Sequence, residues 1–176
     1  MKRLTALCLV IVFAFSLVSC AMTQGIKPDA VEKRLAEKAA VKIEGTEEEM
    51  ERSTEEKTVS VHLHKDNKKA KTLDLLVTDE LLELFSADWK KVSSKGGGNK
   101  VMTFTIDVQH EVTFFDNGRA MIYYGYCSVL EKDRAYYEIT LENGLESLYN
   151  YAKENGTEPV SDEEETNEQE SEKGSD

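Results

Sequence analysis

The stretch from Val101 to Leu130 constrains the fold more than any other part of this chain. Met102, Phe104, Ile106, Val108, Val112 and Phe114 all carry even numbers, and only His110 interrupts the apolar series. A period of two over that length is what a strand with one buried face requires. The spacing predicts one long strand ending at Phe115. Asp116-Asn117-Gly118-Arg119 follows, with Asn-Gly at the two central positions of a type I′ turn. Taking Asn117-Gly118 as a two-residue loop sets Phe114 opposite Met121, Val112 opposite Tyr123, His110 opposite Gly125, Val108 opposite Cys127 and Ile106 opposite Val129. A slip of one residue would turn every side chain of the return strand to the other face, and a break near Gln109-His110 would shift the far half.

In that register Phe115, Ile122, Tyr124, Tyr126 and Tyr136 share the second face. Tyrosine offers contact area with a polar tip, so these five form a candidate binding face, or else a second core layer. A strand apolar on both sides is usually central. Its next partner is Tyr136 to Leu141, with Tyr137, Ile139 and Leu141 joining the first face. His110 opposite Gly125 leaves room above the strand, a candidate pocket; the plainer reading is a histidine packed at a bulge.

Upstream, Val59, Val61 and Leu63 alternate with Ser60, His62 and His64, and Leu73, Leu75 and Val77 alternate after Asp66-Asn67. These runs pair as a hairpin. Thr78 caps a helix whose apolar stripe is Leu81, Leu82, Phe85, Trp89 and Val92. Ser93 to Asn99, with three glycines, is its exit loop and lacks the Lys-Ser/Thr sequel of a phosphate loop. Asn143 and Glu146 have capping-box spacing before a second helix with Leu145, Leu148, Tyr149 and Ala152 inward, ended by Asn155-Gly156. The expected fold is α+β: a mainly antiparallel sheet of about five to six strands with two packed helices, in the order ββα-β(β)ββ-α, over residues 58–156.

The first twenty residues carry a different signal. Lys2 and Arg3 precede fourteen uncharged residues, Leu4 to Leu17, and the run ends Leu17-Val18-Ser19-Cys20. A positive start, a short apolar core and a small residue before the break are the parts of a signal peptide, here residues 1–19, and the core is short for a membrane span. The order of aliphatic, small residue and cysteine resembles the bacterial lipobox. That resemblance, confined to residues 1–20, implies lipidation of Cys20 by a diacylglyceryl group, after which Cys20 starts the mature chain. Two acyl chains make a stable anchor. The expected location is extracytoplasmic, on a bacterial membrane of the cell envelope.

Residues 20–57 are rich in Glu, Lys, Ala and Thr. Val31, Leu35 and Ala39 make one narrow stripe after Pro28-Asp29, and Thr46 to Lys57 holds six glutamates with Met50 its only large apolar side chain. The region reads as a charged linker with one marginal helix. Residues 157–176 read as a disordered acidic tail, with Ser161-Asp162-Glu163-Glu164-Glu165 at its head.

The net charge is −12, and loss of Lys2 and Arg3 with a leader takes it to −14. Such a chain repels phosphate backbones, so nucleic acid is not an expected partner. His62 and His64 lie two apart on one strand face and could supply two metal ligands, although solvated strand histidines are the plainer reading. Cys127 would have no cysteine partner after processing and sits on the expected buried face. No nucleophile elbow, zincin motif or dinucleotide fingerprint is present, so no catalytic residue and no cofactor are expected. These features point to a tethered binding or accessory module for a protein, peptide or envelope component. A metal-handling lipoprotein using His62 and His64 is an alternative, and an envelope hydrolase built on a His110 pocket is a weaker one.

Overall fold

A computed structural model describes residues 26–125 and 134–159. The expected leader with Cys20, the Tyr126–Asp133 segment with Cys127 and Val129, and the chain beyond residue 159 lie outside the described residues. The elements run α1 (Pro28–Ala39), α2 (Glu47–Lys57), β1 (Thr58–Lys65), β2 (Lys68–Leu76), α3 (Asp79–Phe85), β3 (Ala87–Val92), β4 (Lys100–Thr105), β5 (His110–Phe115), β6 (Arg119–Tyr124), β7 (Arg134–Leu141) and α4 (Gly144–Asn155). The seven strands form one sheet in the order β2-β1-β4-β5-β6-β7-β3, every described pairing antiparallel. The α+β class is as expected, with seven strands and four helices among the described residues where five to six and two were anticipated.

One face of the sheet carries the core. Val61, Phe104, Phe114, Ile122, Ala135 and Tyr137 lie across successive strands and are all buried. Val31 and Leu35 of α1, Leu81 and Phe85 of α3, and Leu148 and Ala152 of α4 close over them. Phe85 meets Phe104 and Phe114 edge-to-face at 5.5 and 5.4 Å, the favoured geometry for ring quadrupoles.

The even-numbered series is two strands, not one. The chain reverses between Thr105 and His110, so Met102 pairs with Phe114, Thr103 with Thr113 and Phe104 with Val112. Parity survives because each of these pairs joins two even or two odd numbers, up to the register shift between Lys100 and Met102, and a hairpin folded that way still buries one set. Val108, expected inside opposite Cys127, is at the reversal and 97% exposed. The reversal is chemically specified: Asp107 Oδ1 accepts from the backbone N–H groups of Gln109 and His110, both at 2.8 Å, an Asx turn.

The next hairpin is displaced by one residue from the expected register. Phe114 faces Ala120 and His110 faces Tyr124. The turn holds three residues, Asp116 to Gly118, and Gly118 takes φ +71°, the left-handed conformation that three-residue hairpin loops place on glycine. Asn-Gly marked the turn correctly but not its length. In consequence Ile122 and Tyr124 join the core face, and Met121 and Tyr123 the other.

The expected linker is in large part structure. The α1 stripe reaches the core, with Val31 and Leu35 buried. Helix α2 buries none of its residues; it is held at its start by a capping box between Thr46 and Glu49. Two lysines cross-cap the helix ends. Lys38 Nζ donates to the carbonyls of Glu56 and Thr58 at 2.9 and 2.8 Å, and Lys57 Nζ to those of Ala39 and Val41 at 2.8 and 3.0 Å. Carbonyls at a helix C-terminus lack intrahelical donors and carry negative dipole, so an ammonium suits both.

The helix expected to continue through Trp89 stops at Phe85, and Ala87–Val92 is a strand. A spacing of four, as in Leu81, Phe85 and Trp89, fits a helix and also a period of two. Packing settles it: Trp89 lies opposite Ile139 and meets Tyr137 edge-to-face at 5.7 Å. In α4, Asn143 makes no side-chain cap bond. Gly156 does end the helix, but through close approach: a Cβ there would lie 2.6 Å from the Ala152 carbonyl and 2.8 Å from Leu73 Cβ.

Candidate functional site

The β1–β2 turn, the start of β4 and the β5–β6 turn lie at one end of the sheet, and the first turn of α4 meets them there. Between them is an open cleft of about 780 Å3 lined by His64, Asn67, Lys100, Asp116, Leu145 and Tyr149, among others. That volume lies in the range of small-molecule and peptide-side-chain sites.

Its floor is built from turn chemistry. Asp66 and Asn67 both take positive φ, 53° and 64°, as a two-residue type I′ hairpin requires. The same Asn67 reaches across the gap: its Oδ1 accepts from Lys100 N at 2.7 Å and its Nδ2 donates to Asn99 Oδ1 at 2.6 Å. Asn99 donates in turn to Asp116, from its backbone N at 2.9 Å and its Nδ2 at 3.0 Å. Three loops are thereby tied through one amide–carboxylate chain, which fixes the polar rim before any ligand arrives. Leu145 and Tyr149, half-buried, supply the apolar wall with Val101.

His64 stands at the inner edge of this cleft. Its Nε2 is 2.9 Å from Thr103 Oγ1, which is 3.0 Å from Thr113 Oγ1, and both threonines are buried. Its Nδ1 is buried without a hydrogen-bond partner. Burial holds its pKa below the usual value, and Lys100, His62 and Lys69 push the same way, against the Lys68 backbone. His62 is lowered too, chiefly by burial and then by Lys69; its Nδ1 lies 3.3 Å from Thr72 Oγ1. Both imidazoles are therefore neutral at pH 7. They share a sheet face, as expected, but each engages a threonine. Among the described residues no group of three or more His, Cys, Asp or Glu side chains is placed to hold a metal ion.

The opposite end of the sheet holds the second histidine site. His110 is opposite Tyr124, not Gly125. Its ring packs edge-to-face on Tyr124 at 5.0 Å, and Nδ1 lies 3.0 Å from both oxygens of Asp107. Gly125 instead donates its N–H to the Gln109 carbonyl at 2.7 Å. Burial works to raise the Asp107 pKa, but the Gln109 N–H, the His110 ring and the His110 N–H outweigh it and hold the carboxylate below its ordinary value. Arg34 of α1 adds a cation at 3.7 Å. The His110 side chain is 5% exposed, and among the described residues no hydroxyl or thiol is hydrogen-bonded to it. Asp107 and His110 thus form a clasp at the β4–β5 reversal.

The candidate aromatic face is divided by the corrected register. Ile122 is fully buried in the core and Tyr124 packs on His110. Phe115 is on the second face, but buried, with Lys95 Nζ 5.6 Å above its ring. Tyr136 shares that face, half-buried opposite Met121 and Val92. Tyr126 lies outside the described residues. The four described residues do not form one surface. Missing from the sequence reading were Asn67, Asn99, Asp116 and Tyr149 as parts of one site. The only sequence hint was that Asx residues mark all three loops, without saying which loops meet.

No protein-family model, no curated protein and no solved structure matches this chain.

Proposed function

We propose that this chain is a bacterial envelope lipoprotein, anchored through lipid on Cys20, whose folded domain is a non-catalytic binding module with its ligand in the cleft at the sheet end. The observation that carries the binding reading is that cleft: four separate chain segments converge on it, with a rim already fixed by the Asn67–Asn99–Asp116 chain and an apolar wall of Leu145 and Tyr149. A few fixed polar groups beside apolar surface is the arrangement that recognises a protein or peptide side chain or an envelope component. The anchor rests on the order of parts in residues 1–20.

Ile26 is only six residues beyond Cys20, yet it is 8% exposed and its carbonyl accepts from the Tyr137 hydroxyl at 2.8 Å. At about 3.5 Å per residue, the lipidated sulfur lies within roughly 20 Å of the folded domain. This supports a module held at the bilayer surface, not one raised on a long stalk.

The anchor is tested by Cys20→Ser. The product should leave the detergent phase and lose the mass of the lipid; unchanged partition and mass would end that reading. The cleft is tested by Leu145→Ser with Tyr149→Ala, which should abolish capture of partners from the envelope without loss of folding. Capture that survives the double change would remove the cleft from the proposal.

A further inference from the structure

Strand β2 is an edge of the sheet, and the chain returns to its open side after α4. Thr157 and Asp74 exchange both backbone hydrogen bonds, at 2.7 and 2.9 Å, in an antiparallel bridge. Glu158 Oε1 then lies 3.1 Å from Lys71 Nζ. An antiparallel bridge sets direction: each residue after Thr157 is aimed at a residue before Asp74. Pro159 is aimed at Thr72 and has no N–H to give, so the ladder stops after one bridge. Any further attachment must come from side chains.

The side chains are complementary. Before Thr72 the edge reads Lys68-Lys69-Ala70-Lys71, all exposed, with Lys65 across the turn. After Val160 the chain reads Ser161-Asp162-Glu163-Glu164-Glu165. Asp162 is five residues past Thr157 and Lys69 five residues before Asp74. At about 3.3 Å per residue both runs cover the same span, roughly 16 Å.

We propose that the acidic segment Asp162–Glu165 docks along the lysine-bearing edge of β2, as a charge-held strap continuing the Thr157–Asp74 bridge. Single exposed ion pairs are weak. Here several act together, and the bridge presents them at the high effective concentration of a short tether. The strap covers backbone groups that an open edge strand would offer to another chain. Lysines alone also blunt an edge, and the experiment separates the two accounts.

The full chain, purified as its host makes it, is treated with a zero-length carbodiimide cross-linker at low ionic strength, and the joined peptides are mapped. The strap predicts intramolecular links from Asp162–Glu165 to Lys65, Lys68 or Lys69. Their yield should fall about fivefold in 0.5 M salt, where screening shortens the reach of exposed charges. Lys68→Glu with Lys69→Glu, both exposed and remote from the core, should remove those links and leave Glu158–Lys71 in place. A second readout is the titration of His62 and His64, which face Lys69 along with Lys100 and Asp74. Truncation after Val160 should lower both midpoints, because Lys69 then loses its counter-charge. Links spread evenly over distant lysines such as Lys33 and Lys153, or none at all, would overturn the proposal. So would links that join two differently labelled copies, which would make the edge a contact between molecules.

Discussion

The two ends of this sheet use the same residue types to opposite effect. At one end Asp107 and His110 Nδ1 engage each other and Tyr124 packs edge-to-face on the ring. At the other end Asn67, Asn99 and Asp116 are joined just as closely, but their chain borders a cleft, and His64 retains a buried nitrogen without a partner. The difference lies in what packs above. The clasp is closed by its own strand and by α1, whereas the first turn of α4 stands off from the turns and walls a space.

That contrast can be broken first at the carboxylates. Asp107→Ala removes the carboxylate that accepts from two backbone N–H groups and partners a buried ring, and should cost about 3 kcal/mol in urea unfolding. Asp116→Ala, whose partners can turn to water, should cost about 1 kcal/mol. Equal losses would mean that the two ends are alike. Next comes the seat of α4. Gly156→Ala forces a methyl against the Ala152 carbonyl and Leu73, and should cost about 2 kcal/mol by the same measurement. Asn99→Ala should cost about 1 kcal/mol and loosen the rim, read as increased amide exchange at Lys100 and Asp116.

The smallest effect is with pH. His62 and His64 have folded pKa values below the unfolded value of about 6.5, so the unfolded chain gains protons first on acidification. Their contribution is full above that value and declines as pH falls from it toward the folded pKa values. Asp107, also lowered, keeps its contribution down to about pH 4 and loses it below. Stability should thus fall in two separate steps, and His62→Gln with His64→Gln should erase the first alone. The first step surviving unchanged in that variant would show that the cleft-end imidazoles do not couple to folding.

Much of the core was legible because a period of two is local. Val59, Val61, Leu73 and Leu75 announced the first hairpin, and Tyr137, Ile139 and Leu141 took the face expected of them. The candidate site was not legible, because it belongs to three loops and a helix that are distant in sequence. His110 and Gly125 were drawn together by a pairing one residue out, and the same error set Ile122 and Tyr124 on the face of Phe115 and Tyr136.

Residue order alone determined the alternation, the turns at Asp66-Asn67 and Asn117-Gly118, the apolar run before Cys20, and the acidic balance, since each is a property of neighbours along the chain. Tertiary structure decided what needed contact between distant segments. It folded one even-numbered run into two strands and made Trp89 a strand residue beside Tyr137. It also gave the thin stripe of Val31 and Leu35 a core to enter. Periodicity states which side chains must be buried together; only packing states what they are buried against.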